Sequence, residues 1–275
     1  MRLLSRRFDE VFAVDHWMHV LQVESEGLVA RVTLNGVEVF AEWEGASRIA
    51  QTKVDPFIVE GANALEVELT PMTDDEGRPL AVDTVFRLEL IRGVHGEDPG
   101  DAGRVARWAW DPGRYPVEPG ELSGVWARQF MVADEQAHGR WAWQDAPSAA
   151  AQPIDPLDLV AVVRAVHDAL VARDIAAVES LTALKSDEMA RALGVDVSEV
   201  IEGQREMWAE VFADPDWRVE PFDPAAIAAV PMAEGRLVKL TDPYGAPPVK
   251  GATRERAVGF PIVVTRVNGA WVIAR

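Results

Sequence analysis

Four of the ten tryptophans stand in two copies of one short motif, Arg107-Trp108-Ala109-Trp110 and Arg140-Trp141-Ala142-Trp143. On a strand, residues two apart share a face, so each pair would set two indoles side by side. Turned outward, the indoles would make a flat platform for sugar rings or an apolar partner, with an arginine beside each to stack or hydrogen-bond. Turned inward, they would fill a core, the commoner fate of tryptophan. Trp108, Trp110, Trp141 and Trp143 are therefore the candidate binding residues, with core packing as the competing reading.

Histidine offers the next chemistry. His16 and His19 stand three apart in a stretch with strand-like composition, which puts their rings on opposite faces and keeps them from converging on one ion. No metal site and no cofactor are expected on this ground. His167 lies at the rim of an apolar helical stripe, and Asp168 is turned about 100° from it, so the two do not make an obvious dyad. His167, Trp208 and Tyr244 are candidates for lining a pocket, and none is assigned a catalytic role. The chain has no G-x-G-x-x-G, no phosphate-binding loop, no G-x-S-x-G and no H-E-x-x-H.

Composition narrows the field further. The absence of cysteine excludes disulfides, thiolate metal sites and a cysteine nucleophile, and fits a reducing cytoplasm. No apolar run has the length of a membrane span, and Asp9 and Glu10 interrupt the start of the chain before any signal-like core. The net charge of -18 is concentrated in residues 1–150, which hold 14 basic and 26 acidic side chains. Such a surface repels nucleic acid and anionic lipid and would steer a basic protein partner toward it. The 23 arginines against 4 lysines suggest a GC-rich bacterial genome.

The elements that must position these residues fall into two groups around Ala146-Pro147-Ser148-Ala149-Ala150-Ala151-Gln152-Pro153, a small-residue and proline stretch without periodicity. The expected organisation is an all-β domain over 1–146, a linker over 147–154 and an α+β domain over 155–275. In the first, strands are expected over 11–23, 28–34, 37–43, 64–69, 84–91, 125–132 and 140–144, with a tight hairpin at Asn35-Gly36. Loops are expected over 93–103 and 111–124, where glycine, proline and acid dominate. In the second, helices are expected over 155–173, 174–184, 186–193 and 196–213. Strands follow over 217–222, 227–232, 236–241, 257–266 and 270–273, the last after an Asn268-Gly269 turn.

Two resemblances accompany this reading. Leu34-Asn35-Gly36, then Asp55-Pro56-Phe57, then Gly61-x-Asn63-x-Leu65-x-Val67-x-Leu69 resembles the sugar-binding jelly-roll domain of family 2 glycosidases. That resemblance implies an accessory β-sandwich, since the family's catalytic carboxylates lie in a separate barrel. The helices-then-strands order of residues 155–275, ending in VVTRVNGAWVIAR, is similar to the NTF2-like or SnoaL-like superfamily. It implies helices closing a curved sheet around a cavity. Its members include isomerases, dehydratases, polyketide cyclases and domains without chemistry.

Together these features lead to the expectation of a non-catalytic bacterial binding protein whose acidic surface meets a protein partner, of an immunity or accessory type. Carbohydrate binding by the β-sandwich and an NTF2-like enzyme acting on a small hydrophobic substrate are the alternatives.

Overall fold

The structure is a computed structural model that describes residues 16–72, 84–94, 103–110, 124–133, 136–254 and 256–275. The chain divides into two compact units, Met1–Arg140 and Trp141–Arg275. The stretch expected as a linker belongs to the second: Ala149 N–H donates to Glu234 C=O, and the Arg266 guanidinium donates to Pro153 C=O. Among the described residues, no helix is long and apolar enough to cross a membrane.

The first unit holds two four-stranded antiparallel sheets. One runs in the order β4 (Arg48–Lys53), β1 (Trp17–Glu26), β6 (Val85–Val94), β7 (Arg104–Trp110); the other runs β3 (Val37–Glu42), β2 (Leu28–Leu34), β5 (Gly61–Pro71), β8 (Gly124–Val132). Period-two alternation builds their shared core. Leu21 and Val23 of β1, Leu65, Val67 and Leu69 of β5, and Phe86, Leu88 and Leu90 of β6 all turn into one buried cluster, while Glu66 and Glu68 face out. β2 and β3 join through Asn35 and Gly36, whose φ angles of 52° and 74° supply the left-handed pair that a two-residue hairpin requires. The expected loops over 93–103 and 111–124 lie largely outside the described residues.

A pair of amides ties this hairpin to the turn before β5. The Asn35 side chain donates to Asn63 Oδ1 and to Phe57 C=O, both at 2.8 Å, and its own oxygen accepts from Ala64 N–H. Asn63, almost fully buried, also accepts from Val59 N–H and donates to Val59 C=O. The two asparagines are thus one hydrogen-bonded unit, as buried polar groups must be.

The second unit begins with a correction. Residues 140–144 do not form a strand; Ala142–Asp145 is a one-turn helix, α1. Four further helices follow: α2 (Pro156–Val171), α3 (Ile175–Leu181), α4 (Ala183–Leu193) and α5 (Val197–Ala213). Asp155, Asp174 and Asp196 cap α2, α3 and α5 by accepting from backbone N–H groups of the first turn, and Gly194 closes α4 with a left-handed φ of 68°.

The strands then form two antiparallel sheets. One is ordered β10 (Ala228–Met232), β11 (Leu237–Thr241), β14 (Ile262–Val267), β15 (Ala270–Ile273); the other is β13 (Ala257–Phe260), β12 (Val249–Ala252), β9 (Arg218–Val219). The run expected as a single strand over 257–266 divides at Pro261, which has no N–H for a ladder, and the chain passes there from one sheet to the other. Leu159, Val163, Val166 and Leu170 of α2 meet Val238, Leu240, Ile262 and Val264 of the sheet in one core.

Candidate functional site

The most concentrated chemistry lies in the first unit, at one end of β1. His19 shares the inward parity of Leu21 and Val23, so its ring is carried into the core and is fully buried. After β4 the chain folds back in a 3-10 turn, Asp55–Phe57, where Val54 N–H donates to His19 C=O. That turn delivers Asp55, 2% exposed, against His19: its Oδ1 accepts the His19 backbone N–H at 2.9 Å and stands 3.0 Å from His19 Nδ1. His138, in the segment after β8, brings its Nε2 within 2.9 Å of the same oxygen.

Burial pushes the pKa of Asp55 up, but hydrogen bonds from His138 and His19, together with their positive character, outweigh this and hold the carboxyl below its ordinary value. When ionised, Asp55 accepts only, so any hydrogen bond to it is donated by the facing ring nitrogen. His16 lies against His138 with ring centroids 4.7 Å apart, and His19 meets His138 edge-on at 6.4 Å. His19 Nε2 is enclosed and has no hydrogen-bond partner among the described residues.

His19, Asp55 and His138 each offer a donor atom within 4.8 Å of the others, so these are the side chains able to hold a cation here. Sequence spacing bears on His16 and His19 alone, and in the structure His16 stacks on His138 while His19 meets Asp55. The convergence comes from Asp55 and His138, brought in from 36 and 119 residues beyond His19, which no local pattern pairs with it. The one available signal was that His19 shares the parity of the core-facing residues of its strand.

The tryptophan motifs part company. Trp108, on β7, is half-buried and packs against Phe86 at 5.3 Å and the sandwiched core. Trp110 pairs with Phe86 across β6 and β7. Trp141 is fully buried and Trp143 nearly so, both in the second unit, so this pair cannot present an exposed platform. Trp141 instead anchors a charged cluster: the Arg191 and Arg275 guanidiniums lie 4.9 and 5.3 Å over its ring. The fully buried Glu188 binds both arginines and accepts the Ala142 N–H at 2.7 Å.

The pocket candidates of the second unit also disperse. Trp208 is buried in an aromatic stack with Phe212, Trp217 and Phe260, at centroid distances of 5.3, 6.4 and 5.9 Å, and so fills the space between helices and strands. His167 lies 3.2 Å from the exposed Asp168 and packs on Phe222; the 100° offset between neighbouring helix positions does not prevent that contact, because both side chains bend toward each other at the rim. Tyr244 is 93% exposed. An open groove of about 710 Å³ runs along β15, lined by Val162, Leu181, Leu184 and Trp271 among others, and takes in none of the three candidates. Compared with known proteins, the chain matches no family model, no curated relative and no solved structure.

Proposed function

We propose that the chain is a non-catalytic binding protein, a jelly-roll-like β-sandwich followed by an NTF2-like α+β unit, that recognises a basic protein partner through an acidic surface. The observation that carries this reading is the outer face of α5. Glu199, Glu202, Glu206 and Glu210 recur there at steps of three, four and four, all exposed, while Val200, Trp208, Val211 and Phe212 occupy the inner face. Like charges at these spacings repel one another and weaken a helix slightly. Glu210 is met by Arg256 at 3.6 Å and the exposed Arg205 is held by Glu179, so the row stays net acidic and would attract a cation-rich partner at long range.

The competing readings have less to stand on. An enzyme in the second unit would need an open interior with two polar side chains facing it, whereas Trp208 and its aromatic neighbours occupy that interior. A carbohydrate platform of paired indoles would need both motifs exposed, whereas Trp141 and Trp143 are buried and Trp108 is half-buried; the Trp110 side chain lies outside the described residues. The paired histidines and Asp55 are enclosed at 0–4% exposure, which leaves no room for a substrate. Affinity capture from a lysate of the source organism tests the proposal. Wild-type protein should retain a basic protein at physiological salt, and a variant with all four glutamates changed to Gln should lose it. Capture of nothing, or equal capture by both, would count against the reading.

A further inference from the structure

We infer that His19, Asp55 and His138 form a structural binding site for one divalent transition-metal ion, with zinc the simplest occupant. Two imidazoles and a carboxylate, one donor atom from each within 4.8 Å of the others, are the donor set that zinc, iron, cobalt and nickel accept. Magnesium and calcium demand mostly oxygen ligands and are disfavoured by the two ring nitrogens. The three residues come from β1, the Asp55–Phe57 turn and the segment after β8, so a bound ion would join three parts of the first unit that are far apart in sequence. At 0%, 2% and 4% side-chain exposure the ion would be enclosed, with three protein donors and the fourth position of a tetrahedral zinc left to a water or a further side chain; a role in holding the three segments together follows from the enclosure.

His19 supplies the second observation. Its Nε2 has no partner among the described residues, an unusual position for a buried polar atom. A neutral imidazole carries one proton on either nitrogen. Moving that proton from Nδ1 to Nε2 gives up the Nδ1–H···Oδ1 bond and sets the Nδ1 lone pair against Asp55 Oδ1, 3.0 Å away, with Nε2–H left without an acceptor among the described residues; a cation between the two atoms is what would offset that cost. The ring is therefore able to change from hydrogen-bond donor to metal ligand in place. Asp55 is held on the other side by the His19 backbone N–H at 2.9 Å, the kind of outer contact that orients a ligating carboxylate.

The test uses the full chain, stripped with a chelator and titrated with zinc alone against a chromophoric competitor. The expected result is one zinc per chain and a rise in the unfolding temperature. Asp55→Asn and His138→Gln should each weaken binding by about tenfold or more. Should those variants fail to fold, ring-nitrogen NMR of the wild-type protein decides: His19 and His138 signals should both respond up to one equivalent of zinc and no further. The inference is overturned by absence of stoichiometric binding, by binding that survives both substitutions, or by His19 and His138 signals that zinc leaves unmoved.

Discussion

Glu188 is the side chain whose replacement should tell most about the second unit. It is fully buried, accepts the Ala142 N–H, and is the carboxylate partner of Arg275, whose side chain is 11% exposed. Burial lowers the pKa of Arg275, and Glu188 opposes that by supplying the countercharge. Glu188→Gln keeps the size of the side chain and an acceptor for Ala142, but leaves a buried guanidinium facing a neutral amide. Breaking a buried pair on one side costs about 3–5 kcal/mol. Against a total stability of about 5–15 kcal/mol, that is a large share. For a unit of this size it corresponds to a fall of about 10–20 °C in melting temperature. Urea unfolding followed by circular dichroism, and calorimetry, would measure it. Combining Glu188→Gln with Arg275→Met removes the buried stranded charge, Arg191 keeping its pair with Asp187, and should recover most of the loss. A single variant within about 1 kcal/mol of wild type, or a double variant no better than the single, would refute the account of this cluster.

Two further outcomes follow from the same kind of reasoning. Asn63→Ala removes the bonds to Val59 and Asn35 and should destabilise the first unit by at least about 2 kcal/mol, seen as a lower urea midpoint for that unit with the second unchanged. Burial, followed by the nearby charge of Arg275, lowers the pKa of Lys185 from 10.5. Its folded form therefore holds its proton less tightly than the unfolded chain, so stability rises as pH climbs through the folded pKa toward 10.5 and is reduced below it. Lys185→Met should raise the melting temperature at neutral pH and flatten that rise; a lower melting temperature would contradict it.

Local grammar made much of the fold legible. Asn35-Gly36 and Asn268-Gly269 both form the hairpins their chemistry demands, with the asparagines at φ 52° in each. Asp155, Asp196 and Gly194 mark helix ends where they stand in the sequence. The strand β4 was missed because its exposed, polar face carries little alternation, and β12 because it follows a loop rich in glycine and proline. Arg140 to Trp143 reads as a strand by its composition, yet Ala142–Asp145 turns as a helix whose Ala142 N–H reaches Glu188, 46 residues away. The same holds for the histidine site: parity buries His19, but only the tertiary fold brings Asp55 and His138 to it. Long-range convergence of this kind leaves no trace in spacing.

The proposal that α5 offers a recognition surface meets its most direct test in the salt dependence of binding to the captured partner, compared for wild type and the variant with Glu199, Glu202, Glu206 and Glu210 changed to Gln. Gln at 199 can still accept the Asp196 N–H of the capping box, and the exposed Glu210–Arg256 pair is weak, so the substitutions should leave folding within about 1 kcal/mol of wild type. The account predicts that wild-type affinity falls steeply with added salt, and that the variant binds about tenfold or more weakly with a flatter dependence. Equal affinity and equal salt dependence in the two proteins would contradict it.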